Sequence, residues 1–187
     1  MLTNDNFDFD NKLLTVEKAL TTRIAEGFEL TEDTDIIPTE KYIGYPKQNR
    51  PDILIIMLGS NDLKIKFSLP PADIAGSLIT MIMKIKGYCD HYLACPDMKI
   101  LIISPPALSE PFAESYFVSF FGKDDSVARS KELAEWYKLV ANEHDCCFLN
   151  ATEQVEAGSV DHLHLDPEGH ARMAQLVKDK INEIFAS

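Results

Sequence analysis

Two short segments carry residue types suited to hydrolytic chemistry. Toward the C-terminus, Val160-Asp161-His162-Leu163-His164-Leu165 sets a carboxylate and two imidazoles just ahead of a helix. Hydrolysis at neutral pH needs a base that titrates near 7, and histidine supplies one unperturbed. Asp161 precedes His164 by three residues, so in a turn its carboxylate can hold one ring nitrogen and stabilise the imidazolium formed when the other accepts a proton. His162 would then point elsewhere. A lone DxxH is also common by chance and can simply decorate the loop before a helix. Asp161, His162 and His164 as metal ligands is the weaker reading, because no complementary acid or histidine cluster stands out in the sequence. The second segment, PDILIIMLGSND at residues 51–62, breaks an apolar run at a glycine and delivers Gly59, Ser60, Asn61 and Asp62. These are ordinary turn residues too. After a buried strand of an open α/β sheet, however, they stand where ligands bind.

Both segments need a scaffold, and the apolar pattern supplies one. Residues 52–58 are too tightly confined by Pro51 and Gly59 for a helix, and their isoleucines suit a strand buried on both faces. Residues 98–103 (MKILII) and 146–149 (CCFL) read as two more strands, and residues 12–17 (KLLTVE) as a short one. Between them, Ile74, Leu78, Met81, Ile85 and Tyr88 recur at helical spacing after Pro71, predicting a helix over 71–93. Leu133, Trp136, Tyr137 and Val140 mark the buried face of a helix within 125–144. Asp166-Pro167-Glu168 resembles an N-cap, a first-position proline and an acidic first turn, opening a helix with Ala171, Ala174, Leu176, Val177, Ile181 and Ile184. Strands alternating with helices imply βαβ units and a parallel sheet covered on both faces, a three-layer α/β/α single domain. Residues 21–49 form the one long irregular stretch, of the kind that builds a site or a lid. Residues 112–121 are an aromatic loop or helix.

A chain of 187 residues can bury a core without disulfides or metal. Its formal charge of −12 opposes nucleic acid and anionic membrane surfaces. Cys89, Cys95, Cys146 and Cys147 do not match a CxxC spacing, so reduced, mostly buried thiols are expected. No apolar run approaches a membrane span, and the acidic, polar N-terminus is unlike a signal peptide, so a cytoplasmic location is expected.

GSND after a buried strand and DHLH before the last helix, in that order and roughly a hundred residues apart, resemble the third and fifth blocks of the SGNH (GDSL) hydrolase family. The resemblance implies a flavodoxin-like sheet and a serine-esterase site. Asn61 would be the oxyanion-hole amide, Asp161 the orienting acid and His164 the general base, with Gly59 and Ser60 lining the substrate. An amide aimed in advance at developing negative charge can contribute about 3 kcal/mol. PEGH at residues 167–170 looks like the family's continuation of DxxH. ALTTR at residues 19–23 is similar to a degenerate second block, with Ala19 where the family has a glycine whose N–H is a further oxyanion donor. Alanine resists positive φ, which bears on that donor's aim. IIMLGSND and ISPPAL look like the acyltransferase-like arylesterase branch. The mechanism so implied, acting on a small-molecule ester, calls for neither metal nor cofactor.

The family's first block, the Gly-Asp-Ser turn that carries the nucleophile, has no counterpart in the sequence. Block one should precede block two by a strand, the turn and a long helix, yet eighteen residues stand before Ala19. The expectation is therefore an N-terminally incomplete domain, with the strands at 12–17 and 52–58 left without a shared neighbour and with exposed edges. Ser60 and Ser104 are the nearest other hydroxyls, and both suit hydrogen-bonded turn roles better than nucleophilic ones. The expected activity is carboxylic-ester hydrolysis by family, with little or no turnover from this chain itself. The alternative is a non-catalytic binding or interaction module that retains the pocket. The aromatic stretch 112–121 would suit a pocket wall or a contact in a homo-oligomer.

Overall fold

The computed structural model describes residues 13–15, 52–88, 97–123 and 125–186. Ala19, Cys89, Cys95 and the irregular stretch 21–49 lie outside the described residues. Four parallel strands form one sheet in the order β1 (Leu13–Thr15), β2 (Ile53–Ile56), β3 (Lys99–Ser104) and β4 (Cys147–Asn150). Three long helices accompany them: α1 (Pro71–Tyr88), α2 (Ser126–Glu143) and α3 (Pro167–Ala186). Leu13, Leu14 and Thr15 pair with Ile53, Leu54 and Ile55. This corrects the expectation of a vacant place between the first two strands. The polar backbone edge of β2 is satisfied by direct pairing with residues 13–15, which removes an otherwise unpaired row of N–H and C=O groups.

The period-two alternation of strand side chains sorts the core into two layers. Leu54, Ile56, Ile100 and Ile102 face one side, packed with Ile74, Leu78 and Ile85 of α1 and Leu133, Tyr137 and Val140 of α2. Ile53, Ile55, Leu101, Ile103 and Leu149 face the other, against Met173 and Ile181 of α3. The three-layer α/β/α architecture follows. Truncating Ile102, which is fully buried between strands and helices, would cost about 2–5 kcal/mol through lost transfer energy and a cavity.

One helical face differs from expectation. Trp136 lies on the outer face of α2, where its indole N–H donates to Glu132 one turn back at 2.9 Å. Trp136 flanks the buried face, which Leu133, Tyr137 and Val140 carry. On α3, Met173 and Ile181 are buried, with Leu176, Val177 and Ile184 packed beside them. The helix starts as predicted, because Asp166 Oδ1 accepts the Gly169 N–H at 2.8 Å and Pro167 takes the first position. Among the described residues, no helix is long and apolar enough to cross a membrane.

Candidate active site

Because all four strands run parallel, the segments after β2, β3 and β4 gather at one edge of the sheet, the carboxyl end where open α/β sheets bind ligands. The segment after β4 carries Asp161 and His164. Leu163 packs into the layer that α1 and α2 cover, and Leu165 into the layer under α3. Anchored on both faces of the sheet, the loop presents the residues between its leucines outward. Gly158 closes the turn: its N–H donates to the His164 carbonyl at 2.7 Å, and its carbonyl accepts the His162 N–H at 3.0 Å. A Cβ at this position would stand 3.0 Å from both the His164 oxygen and the Asp166 nitrogen, so the close approach suits only glycine.

Within that turn the Asp161 carboxylate is fully engaged. Oδ1 accepts the backbone N–H of Leu163 at 3.0 Å and of His164 at 2.8 Å, and Oδ2 meets His164 Nδ1 at 2.6 Å. A carboxylate is acceptor-only, so Nδ1 carries the proton and Nε2 is left with its lone pair for a reacting group. Partial burial alone would raise the Asp161 pKa. The hydrogen bonds from the His164 ring and from the His164 and Leu163 amides outweigh it and hold the carboxyl below its ordinary value. The His164 side chain is 68% exposed, open to an incoming ligand.

After β2 the chain turns at Gly59, whose φ of +114° is a conformation that alanine resists. The Asp62 N–H donates to the Gly59 carbonyl at 3.1 Å, and Asn61–Leu63 form a short 3-10 turn with Ser60 at its start. Leu63 and Asp62 point inward and are buried, while Asn61 is exposed on the edge. The buried phenol of Tyr137, reaching across from α2, donates to the Leu58 carbonyl at 3.0 Å. A Cβ on Gly59 would sit 2.3 Å from that phenol oxygen. Glycine is thus required twice, for its backbone angle and for the tyrosine's approach. Burial, reinforced by the nearby Asp62 carboxylate, pushes the Tyr137 pKa far up, so the group remains a neutral donor.

The segment after β3 connects the two. Ser115 Oγ donates to the Asp161 carbonyl at 2.6 Å, and the Phe117 ring meets the His164 imidazole edge-on at 5.7 Å. At its far end Gly122 lies against Ile65, in the turn that follows Asn61. One aromatic segment therefore touches the His164 loop and the chain just beyond Asn61. Phe112 and Phe121 stack edge-to-face beneath it in the core. The structure brings Asp161 and His164 into contact and sets Gly59, Ser60 and Asn61 on the same edge.

The remaining candidates are otherwise occupied. Ser104 is fully buried, with its hydroxyl shared between Asn150 Oδ1 at 3.2 Å and the Thr152 hydroxyl at 2.9 Å. His162, in the left-handed region at φ +59°, turns away from His164, and its Nδ1 lies 2.7 Å from Ser109 Oγ. That contact pins the loop to the segment after β3. Cys146 and Cys147 are half-buried free thiols, and burial raises the pKa of both, Cys146 to about 11. Ser109, Ser115, Phe117 and Tyr137 enter the site's framework through partners tens of residues away. No local sequence signal marks such pairings, although the glycine ending a buried strand hints at a close neighbour.

A family model described as the GDSL-like Lipase/Acylhydrolase family matches residues 31–172. Among solved structures, the chain is similar to Est24, a carbohydrate acetylesterase from Sinorhizobium meliloti, at 26% identity over 83% of this chain and 73% of that one, with a TM-score of 0.67. It is also similar in fold to the aryl esterase of M. smegmatis, at 24% identity over 76% of this chain and 67% of that one, TM-score 0.65. A further structure is 30% identical over 78% of this chain, TM-score 0.67, and the match spans 65% of that protein's length. No curated protein matches the chain.

Proposed function

The chain belongs to the GDSL-like lipase/acylhydrolase family, and from that premise we propose that its site is the acid-base and oxyanion part of a carboxylic-ester hydrolase. The observation that carries this reading is the contact between Asp161 and His164, with the imidazole exposed on the edge that also bears Asn61. In the proposed mechanism a serine hydroxyl attacks the ester carbonyl, and its proton passes to His164 Nε2 while Asp161 stabilises the imidazolium. The Asn61 amide, with the backbone N–H of Ala19 as a second donor, takes the oxyanion. His164 then returns the proton to the departing alkoxide, and water activated by the same imidazole releases the acyl group. The substrate is a small-molecule ester, and no metal or cofactor takes part.

The sequence contains no Gly-Asp-Ser turn, so these 187 residues hold the acid, the base and the amide without the family's nucleophile. Little or no ester turnover is expected from them. The same feature favours a second reading, a binding module that keeps the pocket and turns nothing over. The test is a fluorophosphonate probe and p-nitrophenyl acetate applied to the purified chain. No serine should be labelled, and hydrolysis should stay close to background. Labelling of a single serine that disappears in His164→Ala would show that the chain carries its own nucleophile and would overturn this part of the proposal.

A further inference from the structure

Four contacts around His164 close into a ring, and they meet at a buried serine. Asp161 Oδ2 meets the imidazole at Nδ1, the Phe117 ring lies edge-on against that imidazole, and the Phe117 backbone N–H donates to Ser115 Oγ at 3.2 Å. The same hydroxyl donates to the Asp161 carbonyl at 2.6 Å, which returns the circuit to the acid. A hydroxyl has one proton to donate and lone pairs to accept with, so Ser115 Oγ can serve both neighbours at once. A serine that only caps its own turn needs the local bond to Phe117 and not the one that reaches across 46 residues.

The acid needs an anchor because the motif around it closes on itself. Its carboxylate binds the Leu163 and His164 amides and the His164 ring, which fixes acid to base and leaves the placement of the pair to the backbone. The preceding residues, Ser159 and Val160, are exposed, Val160 to 94%. The peptide between Asp161 and His162 is bound on its N–H side by the Gly158 carbonyl, inside the same loop, and on its C=O side by Ser115. Ser115 is itself only 6% exposed, and its N–H donates to the carbonyl of fully buried Phe112 at 2.9 Å. It therefore ties the Asp161 peptide to the core. Ser109 holds the loop from the same segment, but on His162, whose ring turns away from His164.

We propose that Ser115 is a positioning residue for the acid-base pair: its hydroxyl sets the Asp161 peptide and the Phe117 ring together, and through them the orientation and tautomer of the His164 imidazole. The role rests on the esterase reading above for what the imidazole is for, but the ring can be read without turnover. Long-range 1H–15N NMR of the purified chain gives the ratio of Nδ1-protonated to Nε2-protonated His164 in the parent, Ser115→Ala, Ser115→Thr and Ser115→Cys. Ser130→Ala is the control, a likewise buried serine whose hydroxyl serves Leu108 and Val127 instead. The ratio is expected to fall roughly threefold to tenfold in Ser115→Ala, the net strength of one hydrogen bond. It should stay near the parent's in Ser115→Thr and lie between in Ser115→Cys, because a thiol is a weak donor. Ser130→Ala should lower thermal stability and leave the ratio unchanged. A ratio that Ser115→Ala and Ser115→Cys both keep, one that Ser115→Thr loses as fully as Ser115→Ala, or an equal fall in Ser130→Ala overturns the positioning role. Should Ser115→Ala fail to fold, the threonine and cysteine variants decide by the same grading. A parent ring with no preference for Nδ1 overturns the acid-base reading and this role with it, whereas a preference that survives in every Ser115 variant removes the role alone.

Discussion

Replacing Gly59 with alanine should destabilise the protein through one identifiable pair of atoms. The added Cβ would stand 2.3 Å from the Tyr137 phenol oxygen and 3.2 Å from its Cζ. The backbone would also be held at φ +114°, a conformation that costs a non-glycine residue about 1–3 kcal/mol. The phenol has to withdraw, which breaks its bond to the Leu58 carbonyl and leaves a buried acceptor unsatisfied, a further loss of about 1–3 kcal/mol. A total of about 2–6 kcal/mol is a large part of the 5–15 kcal/mol that stabilises a typical domain. At about 3 °C per kcal/mol for a chain of this size, the middle of that range lowers Tm by about 12 °C. Tyr137→Phe keeps the ring, removes the oxygen and costs about 1–3 kcal/mol for the orphaned carbonyl. In that background the atom responsible for the 2.3 Å clash is gone and the 3.2 Å approach to Cζ asks only a small shift of the ring, so Gly59→Ala should add mainly its backbone strain. Urea unfolding of the four proteins, followed by far-UV circular dichroism, gives the cycle. A coupling of about 1–3 kcal/mol is expected, and additivity within about 0.5 kcal/mol would refute the reasoning.

Asn61→Ala should leave stability within about 0.5 kcal/mol, since the side chain is exposed, and parallel melts of the two proteins check it. Asp161 has a depressed pKa in the folded state, so its share of stability is fully present above the ordinary value of about 3.9 and is lost as pH falls through the lower folded value. Asp161→Asn should remove that part of the acid dependence, read from urea midpoints between about pH 5 and pH 2. Ser109→Ala should release His162 and cost about 1 kcal/mol, with faster amide exchange across residues 158–164. Cys146, with its thiol pushed up to about 11, should alkylate at pH 8 about two orders of magnitude more slowly than a free cysteine thiol.

The layer order of the fold was legible because buried parallel strands announce themselves as short unbroken apolar runs, and β2, β3 and β4 fall within a residue or two of the predicted segments. Asp161 and His164 were legible because three residues and a turn bring them together locally. Trp136 misled because helical spacing alone does not separate a buried face from its flank: the position lies one residue from Tyr137, and a long ring can satisfy its N–H on the outside with Glu132. Direct pairing of β1 with β2 escaped the sequence reading because strand adjacency depends on which edge is free, and no residue type encodes that. The clamp of Tyr137 on the β2 turn spans 79 residues. Its glycine was visible as a turn, and the partner that requires the glycine was not.

The proposed chemistry requires His164 to hold its proton on Nδ1, toward Asp161, and to keep Nε2 free to take one from a nucleophile. Long-range 1H–15N NMR of the imidazole, at a pH where the ring is neutral, reads this directly. A protonated Nδ1 and an unprotonated Nε2 are expected, with the preference lost in Asp161→Ala. A ring protonated on Nε2, or one whose tautomer is the same with and without the Asp161 carboxylate, would contradict it.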